Sequence, residues 1–161
     1  SLGSRIKVKR EIGFFSEIIS HDNYPAFVPS SHLINIETKV KDWVSIAESL
    51  LHTPYKWGGR DTIGIDCSSL VQLCMQFTKL SLPRDTSEQI YFFLDQSKKL
   101  DCITRGSLVY WEGHVAIGVN KKQIIHSSGL HLKVIIEDFN EAIKRMESEG
   151  FFVKKIIDTI L

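Results

Sequence analysis

The stretch Tyr55-Lys56-Trp57-Gly58-Gly59, followed by Gly64-Ile65-Asp66-Cys67-Ser68-Ser69-Leu70-Val71, decides how this chain is read. A glycine-rich turn runs into a cysteine, and the cysteine opens an apolar run of helical period. That places a thiol at a helix N-terminus, where unpaired backbone N–H groups and the positive end of the helix dipole favour thiolate over thiol. Two histidines, His114 and His126, follow in a strand-rich stretch. A thiol and an imidazole base are the minimum set for cysteine-nucleophile catalysis.

Bulk properties narrow the field. The chain has 161 residues, 43% hydrophobic and 24% charged, with a net charge of +1. This is a globular composition of one domain, or of one domain with a small attachment. A net charge so close to neutral gives no electrostatic pull toward nucleic acid or a membrane surface. No apolar run has the length of a membrane span, and no signal peptide is visible. The chain starts Ser1-Leu2-Gly3-Ser4 without a methionine, which leaves a lost targeting segment open. Cys67, Cys74 and Cys102 form no Cys-x-x-Cys pair, and Cys67 and Cys74 are two helical turns apart, too far for a disulfide. Cys74 and Cys102 read as core and loop filler, and a reducing compartment fits.

Periodicity divides the chain. Residues 5–34 read as a small β-meander, with breaks at Gly13 and at Asp22-Asn23-Tyr24-Pro25. From Thr38 the period becomes helical, with Val40, Trp43, Val44, Ala47, Leu50 and Leu51 on one face, Thr38 as N-cap and Pro54 as the stop. The boundary falls near Glu37, giving a β segment over 1–36 and a domain over 37–161. A second helix is expected from Cys67 to about Leu80. A third starts at Asp85 or Thr86 and runs through Ile90, Phe93 and Leu94, with cap chemistry from Thr86-Ser87-Glu88-Gln89. Strands follow at 107–111, 114–119, 123–126 and 133–137. A helix covers 138–146 and a last strand 151–157. Helices first and a strand meander after them predict an α+β domain with an antiparallel sheet.

His114 starts one strand and His126 ends its hairpin partner, so the two come close to facing each other, and one imidazole can orient the other. His21, His32, His52 and His131 read as surface or satisfied core histidines. A cysteine and two histidines also suit zinc, although 47 positions between Cys67 and His114 do not make a compact zinc motif. On spacing alone both chemistries stand.

Several motifs carry a resemblance: Tyr55-x-Trp57-Gly58-Gly59, Asp66-Cys67-Ser68-Ser69-Leu70-Val71, Leu82-Pro83-Arg84-Asp85-Thr86-Ser87-x-Gln89, Gly106-Ser107-Leu108-Val109-Tyr110-Trp111, Gly113-His114-Val115-Ala116-Ile117 and Ile125-His126. In this order and spacing they resemble the NlpC-type family of bacterial cell-wall cysteine peptidases, a papain-like group, over most of residues 38–137. The resemblance implies Cys67 as nucleophile, His114 as general base and His126 as the polar third member. Tyr55 would join the Cys67 backbone N–H in an oxyanion hole. Asp66 and Ser68, flanking the nucleophile, are implied substrate contacts, with helix capping as their competing role. No metal or organic cofactor is implied. Ser69 stands where the family commonly has glycine and Ser107 where it commonly has aspartate; neither touches the proposed triad.

Asp85-Thr86 resembles the version found in γ-D-glutamyl-L-diamino acid endopeptidases acting on free stem peptides. There the aspartate helps hold the ammonium of L-Ala, the diamino acid is expected to be meso-diaminopimelate, and Asp85 could instead simply cap the following helix. The stretch Ala26-Phe27-Val28-Pro29-Ser30-Ser31-His32-Leu33 resembles the closing strand of the bacterial SH3-like barrel that precedes the catalytic domain in those enzymes. A full barrel needs more than the 36 residues present, so a partial barrel is expected. The implied partner is a muropeptide or stem peptide, with neither nucleic acid nor membrane, and oligomeric state is open. Free-peptide specificity suits cytoplasmic recycling of wall fragments, with a periplasmic or surface location open. The rival readings are an amidase or acyltransferase on the same fold and a non-catalytic wall-binding module.

Overall fold

A computed structural model describes residues 1–20, 22, 24–93, 97, 98 and 103–159. His21, Asn23, Leu94 and Cys102 lie outside the described residues. The chain divides into two compact units, Ser1–Lys39 and Val40–Leu161.

The first unit is a three-stranded antiparallel sheet of β1 (Val8–Ile12), β2 (Phe15–Ile19) and β3 (Pro25–Pro29) in that order. Glu17 of β2 is a buried acid, paired with Lys9 and Arg10. Its neighbours Ile12, Phe15, Ile19 and Phe27 are exposed apolar side chains.

The second unit opens with α1 (Val44–Ser49). This helix starts later than the periodicity from Thr38 predicts and stops before Pro54. Its N-cap position is Trp43 and carries no side-chain cap hydrogen bond, so Trp43 enters the core just ahead of the first helical residue while Val40 is half-buried in the lead-in chain. Two short strands, β4 (Arg60–Asp61) and β5 (Gly64–Ile65), lead into α2 (Cys67–Met75), which tightens into a 3-10 turn over Gln76–Thr78 and ends at Lys79 with φ +70°. The third helix, α3, is Thr86–Phe92. Asp85 occupies its N-cap position without a side-chain cap hydrogen bond.

The remaining strands are β6 (Ser97–Lys98), β7 (Ser107–Trp111), β8 (His114–Gly118), β9 (Gln123–Ser128) and β10 (Lys133–Asp138). Then come α4 (Phe139–Ser148) and β11 (Lys155–Asp158). The last strand is therefore shorter and later than the expected 151–157. They form an antiparallel six-stranded sheet ordered β10-β9-β8-β7-β11-β6.

Both faces of this sheet are covered. Leu108, Tyr110, Val115, Ile117 and Ile125 join α1 and α2 in one apolar cluster. Val109, Trp111, Ala116 and Ile124 join Phe139 and Ala142 of α4 in another. Successive strand residues point to opposite faces, which is why the run Leu108-Val109-Tyr110-Trp111 is apolar throughout. Tight strand geometry also limits substitution. A Cβ added to Gly118 would lie 2.3 Å from the Thr104 carbonyl oxygen, while the Gly118 carbonyl accepts the Gly106 N–H at 2.8 Å. Gly118→Ala is expected to lower unfolding free energy by about 1–3 kcal/mol, the usual cost of overpacking. Urea titration of the two proteins measures it, and an unchanged midpoint would contradict the packing described.

Candidate active site

Cys67 is the first residue of α2, and the residue before it organises the turn. Asp66 has extended backbone and caps the helix, accepting the Ser69 N–H at 2.8 Å. Its other oxygen accepts the Gly58 N–H at 2.9 Å. Arg84 binds both oxygens through its two Nη atoms and also donates to Ser68 Oγ at 2.8 Å. Burial pushes the Asp66 carboxyl up, and the Arg84, Ser69 and Gly58 donors more than offset it, so its pKa lies below the ordinary value. Asp66 and Ser68 are buried and their side chains are engaged within the protein. The capping role that competes with substrate contact is thus present, joined by the Arg84 latch.

A second brace comes from Gln89 of α3, fully buried, whose amide donates to the Ser68 carbonyl at 3.0 Å and the Pro83 carbonyl at 2.9 Å. The motif containing Arg84 and Gln89 is plain in the sequence. Its function as a clamp on the nucleophile turn depends on long-range contacts that spacing does not reveal.

The Cys67 thiol sits against the start of β8. Its Sγ lies 3.9 Å from the Gly113 carbonyl oxygen, and the Val115 backbone N–H points at the sulfur. These residues flank His114 on both sides. Gly113 closes the β7–β8 turn with φ +66°, a conformation glycine adopts without steric cost, so the turn delivers His114 at once to the strand start. Burial pushes the thiol up, the Val115 donor opposes this, and the charge of Asp66 adds to the rise. The net direction is upward. Burial thus opposes the thiolate that a helix N-terminus favours.

His114 Nε2 and His126 Nδ1 lie 2.7 Å apart, with rings nearly perpendicular. The two are not directly opposite. Ile117 pairs with Ile125 and Gly118 with Ile124, a register that sets His126 across from Ala116, so the histidines meet on the diagonal. Their contact uses Nε2 of His114, so Nδ1 is the ring nitrogen not taken by His126. Burial holds the His114 imidazole well below its ordinary pKa, and His126 adds to that effect. Neutral thiol and neutral imidazole are thus both favoured at rest.

The polar chain continues beyond the expected residues. Ile135 of β10 pairs with His126, and Glu137, one diagonal step further, brings Oε1 to 2.7 Å from His126 Nε2. Arg145 of α4 binds Glu137 at 2.6 and 2.8 Å. Burial pushes the Glu137 carboxyl up, but Arg145 and His126 hold it down at about 2. A charged residue closing the apolar run Val134-Ile135-Ile136 was the one available signal for it.

Tyr55 is half-buried, with its phenol within electrostatic reach of Cys67 and Asp66 and its ring beside Gly129. Burial raises its hydroxyl pKa, with Cys67 and Asp66 adding, so it stays a protonated donor. Trp57 is 82% exposed. Asp85 is exposed and Thr86 half-buried at the start of α3. Thr86, Trp111 and Gly113 share the wall of an open groove of about 550 Å³. Among the described residues, no three His, Cys, Asp or Glu side chains are grouped to hold a metal ion.

The chain is 32% identical over 85 residues to dipeptidyl-peptidase 6 of Lysinibacillus sphaericus, covering 53% of this chain and 31% of that protein. It is 25% identical over 151 residues to the γ-D-glutamyl-L-lysine dipeptidyl-peptidase of Bacillus subtilis (strain 168), covering 87% and 50%. The chain thus spans about a third to a half of the length of these two relatives. In fold it is similar to the crystal structure of an NlpC/P60 family protein from Bacillus cereus ATCC 10987, with a TM-score of 0.79 and 18% identity over 98% of this chain and 54% of that one. The family model described as NlpC/P60 matches residues 52–150, the span that holds Tyr55, Cys67, His114 and His126, and by that match the chain belongs to the NlpC/P60 family.

Proposed function

We propose that this protein is a cysteine peptidase that cleaves the γ-D-glutamyl–diamino acid bond of a peptidoglycan stem peptide with a free N-terminal L-Ala, the diamino acid being meso-diaminopimelate. One observation carries the reading: a thiol at the start of α2 lies against the backbone on either side of His114, whose far nitrogen is taken by His126 at 2.7 Å.

The chemistry follows from the atoms available. His114 Nδ1 takes the proton from Cys67 Sγ as the sulfur attacks the scissile carbonyl. The tetrahedral oxyanion is met by the Cys67 N–H and the Tyr55 hydroxyl, each such donor contributing about 3–4 kcal/mol where one has been removed. His114 then protonates the leaving amine and the C–N bond breaks, leaving a thioester. A water molecule, deprotonated by His114, releases the acid and restores the thiol. No step calls for a metal or cofactor.

Substrate choice rests on Asp85 and Thr86. Asp85 keeps an exposed carboxylate that makes no cap hydrogen bond to α3, which supports a role in meeting the substrate ammonium. The name of the Bacillus subtilis relative supports the γ-D-glutamyl linkage. In this reading the sheet of β1, β2 and β3 is part of an SH3-like barrel, and a free stem peptide as substrate suits wall-fragment recycling in the cytoplasm. No helix among the described residues is long and apolar enough to cross a membrane.

Incubation of L-Ala-γ-D-Glu-meso-diaminopimelate with wild type and Cys67→Ala, followed by mass spectrometry of the products, tests the reaction. Wild type should release L-Ala-γ-D-Glu and free diaminopimelate, and the variant should fall to background. Equal turnover by both would refute the thiol mechanism. Acetylating the substrate amine should lower kcat/KM about tenfold to a hundredfold, the range for a lost hydrogen bond to a charged group. If the acetylated and free peptides are cut alike, Asp85 does not read the ammonium.

A further inference from the structure

The polar chain behind His114 has two internally consistent proton arrangements, and its far end decides between them. A neutral imidazole carries one N–H and one lone pair, whereas an ionised carboxylate only accepts. Glu137 Oε1 lies 2.7 Å from His126 Nε2, at ion-pair distance though off-line for a standard hydrogen bond, and that buried nitrogen has no other partner among the described residues. With an ionised Glu137, that nitrogen is the protonated one and His126 Nδ1 holds the lone pair. Nδ1 then accepts the N–H of His114 Nε2 across 2.7 Å, and His114 Nδ1 keeps its lone pair. In the opposite order His126 carries its proton on Nδ1 and donates it to His114 Nε2. His114 is then protonated on Nδ1 and has no lone pair for a thiol proton. Which imidazole nitrogen is protonated is set by what the other one meets.

We propose that Glu137 is a positioning residue that fixes the proton order along His126 and His114, and that Arg145 keeps Glu137 ionised so that it remains an acceptor. The proposal rests on the reading of Cys67 as nucleophile and His114 as its base. Both oxygens of Glu137 are bound by Arg145, at 2.6 and 2.8 Å, and Arg145 belongs to α4, which follows β10 directly and is capped by Asp138. Strand, cap and helix thus form one continuous piece that carries the acceptor and its guard. An ion pair serving only to tie α4 to β10 would need no contact with His126.

The charged and titratable groups around His126 are His114 from β8, Glu137 from β10 and Arg145 from α4, with Glu149 in reach of Arg145. When the Cys67 S–H bond breaks and the proton forms a bond to His114 Nδ1, the new positive charge lies at one end of this line. Glu137 at the other end orients the intervening N–H groups. Because Arg145 balances its charge, it does not take up a proton itself.

Two experiments test this without any peptide substrate, so their outcome is separate from the choice of scissile bond. Long-range 1H–15N NMR of the wild-type protein at neutral pH should find His126 protonated at Nε2 and bare at Nδ1. A His126 protonated at Nδ1 alone would overturn the proposal. The pH dependence of Cys67 alkylation by iodoacetamide should then be compared in wild type, Glu137→Gln and Glu137→Leu. The leucine variant should react about tenfold or more slowly and with a displaced pH profile, in the direction known for wrong-tautomer variants of triad enzymes. Glutamine, which retains an acceptor oxygen, should recover part of the rate. An unchanged profile with equal rates in both variants would assign Glu137 a purely structural role. If these predictions hold and the stem peptide is still not cleaved, the substrate reading fails and the proton order stands.

Discussion

Everything at this site hangs on the buried carboxylate of Asp66. It is 6% exposed, and a carboxylate so placed is costly unless its lone pairs are met. They are met by Gly58 in the glycine turn, by Ser69 in the first turn of α2 and by Arg84 in the chain that leads to α3. One side chain therefore ties three separate pieces of chain together, and Cys67 is the next residue along. Removing one partner from a buried ion pair costs on the order of 3 kcal/mol, enough to let the start of α2 move. Gln89 secures the same turn through the Ser68 carbonyl. The thiol is held by a frame of polar contacts in which it takes almost no part.

The sheet supplies the other half by register. His114, His126 and Glu137 lie on three adjacent strands, each displaced diagonally from the last. On one face of an antiparallel sheet such diagonal neighbours remain within reach of long side chains. A slip of one residue in any of the three strands would turn its polar member to the opposite face. Apolar packing on both sides of the sheet, from α1 and α2 on one face and α4 on the other, fixes that register. Burial then acts on the chemistry, pushing the thiol pKa up and the imidazole pKa down.

Legibility in the sequence followed locality. The thiol at a helix start, the His114 strand after a glycine turn and the period of α4 are encoded within a few residues, and the structure has them all. The onset of α1 is hidden because Trp43 is buried ahead of the first helical residue and no side-chain cap marks the helix start. The environment of Cys67 is only half legible for a related reason: dipole and N-terminus are local signals, desolvation is not. Glu137 and Arg145 escaped notice because their meaning arises only when β10 is laid beside β9. Asp66 and Ser68 sit beside Cys67 in sequence, and their contacts to Gly58, Ser69 and Arg84 emerge only in the fold.

The claim at the centre of this account is that the Cys67 sulfur forms a covalent acyl intermediate during peptide cleavage. Rapid acid quenching during turnover of L-Ala-γ-D-Glu-meso-diaminopimelate, followed by peptide mapping by mass spectrometry, examines it directly. The account predicts an L-Ala-γ-D-Glu acyl group on the peptide containing Cys67 and on no other. Turnover with no adduct at Cys67, or with the adduct on a different residue, would contradict it.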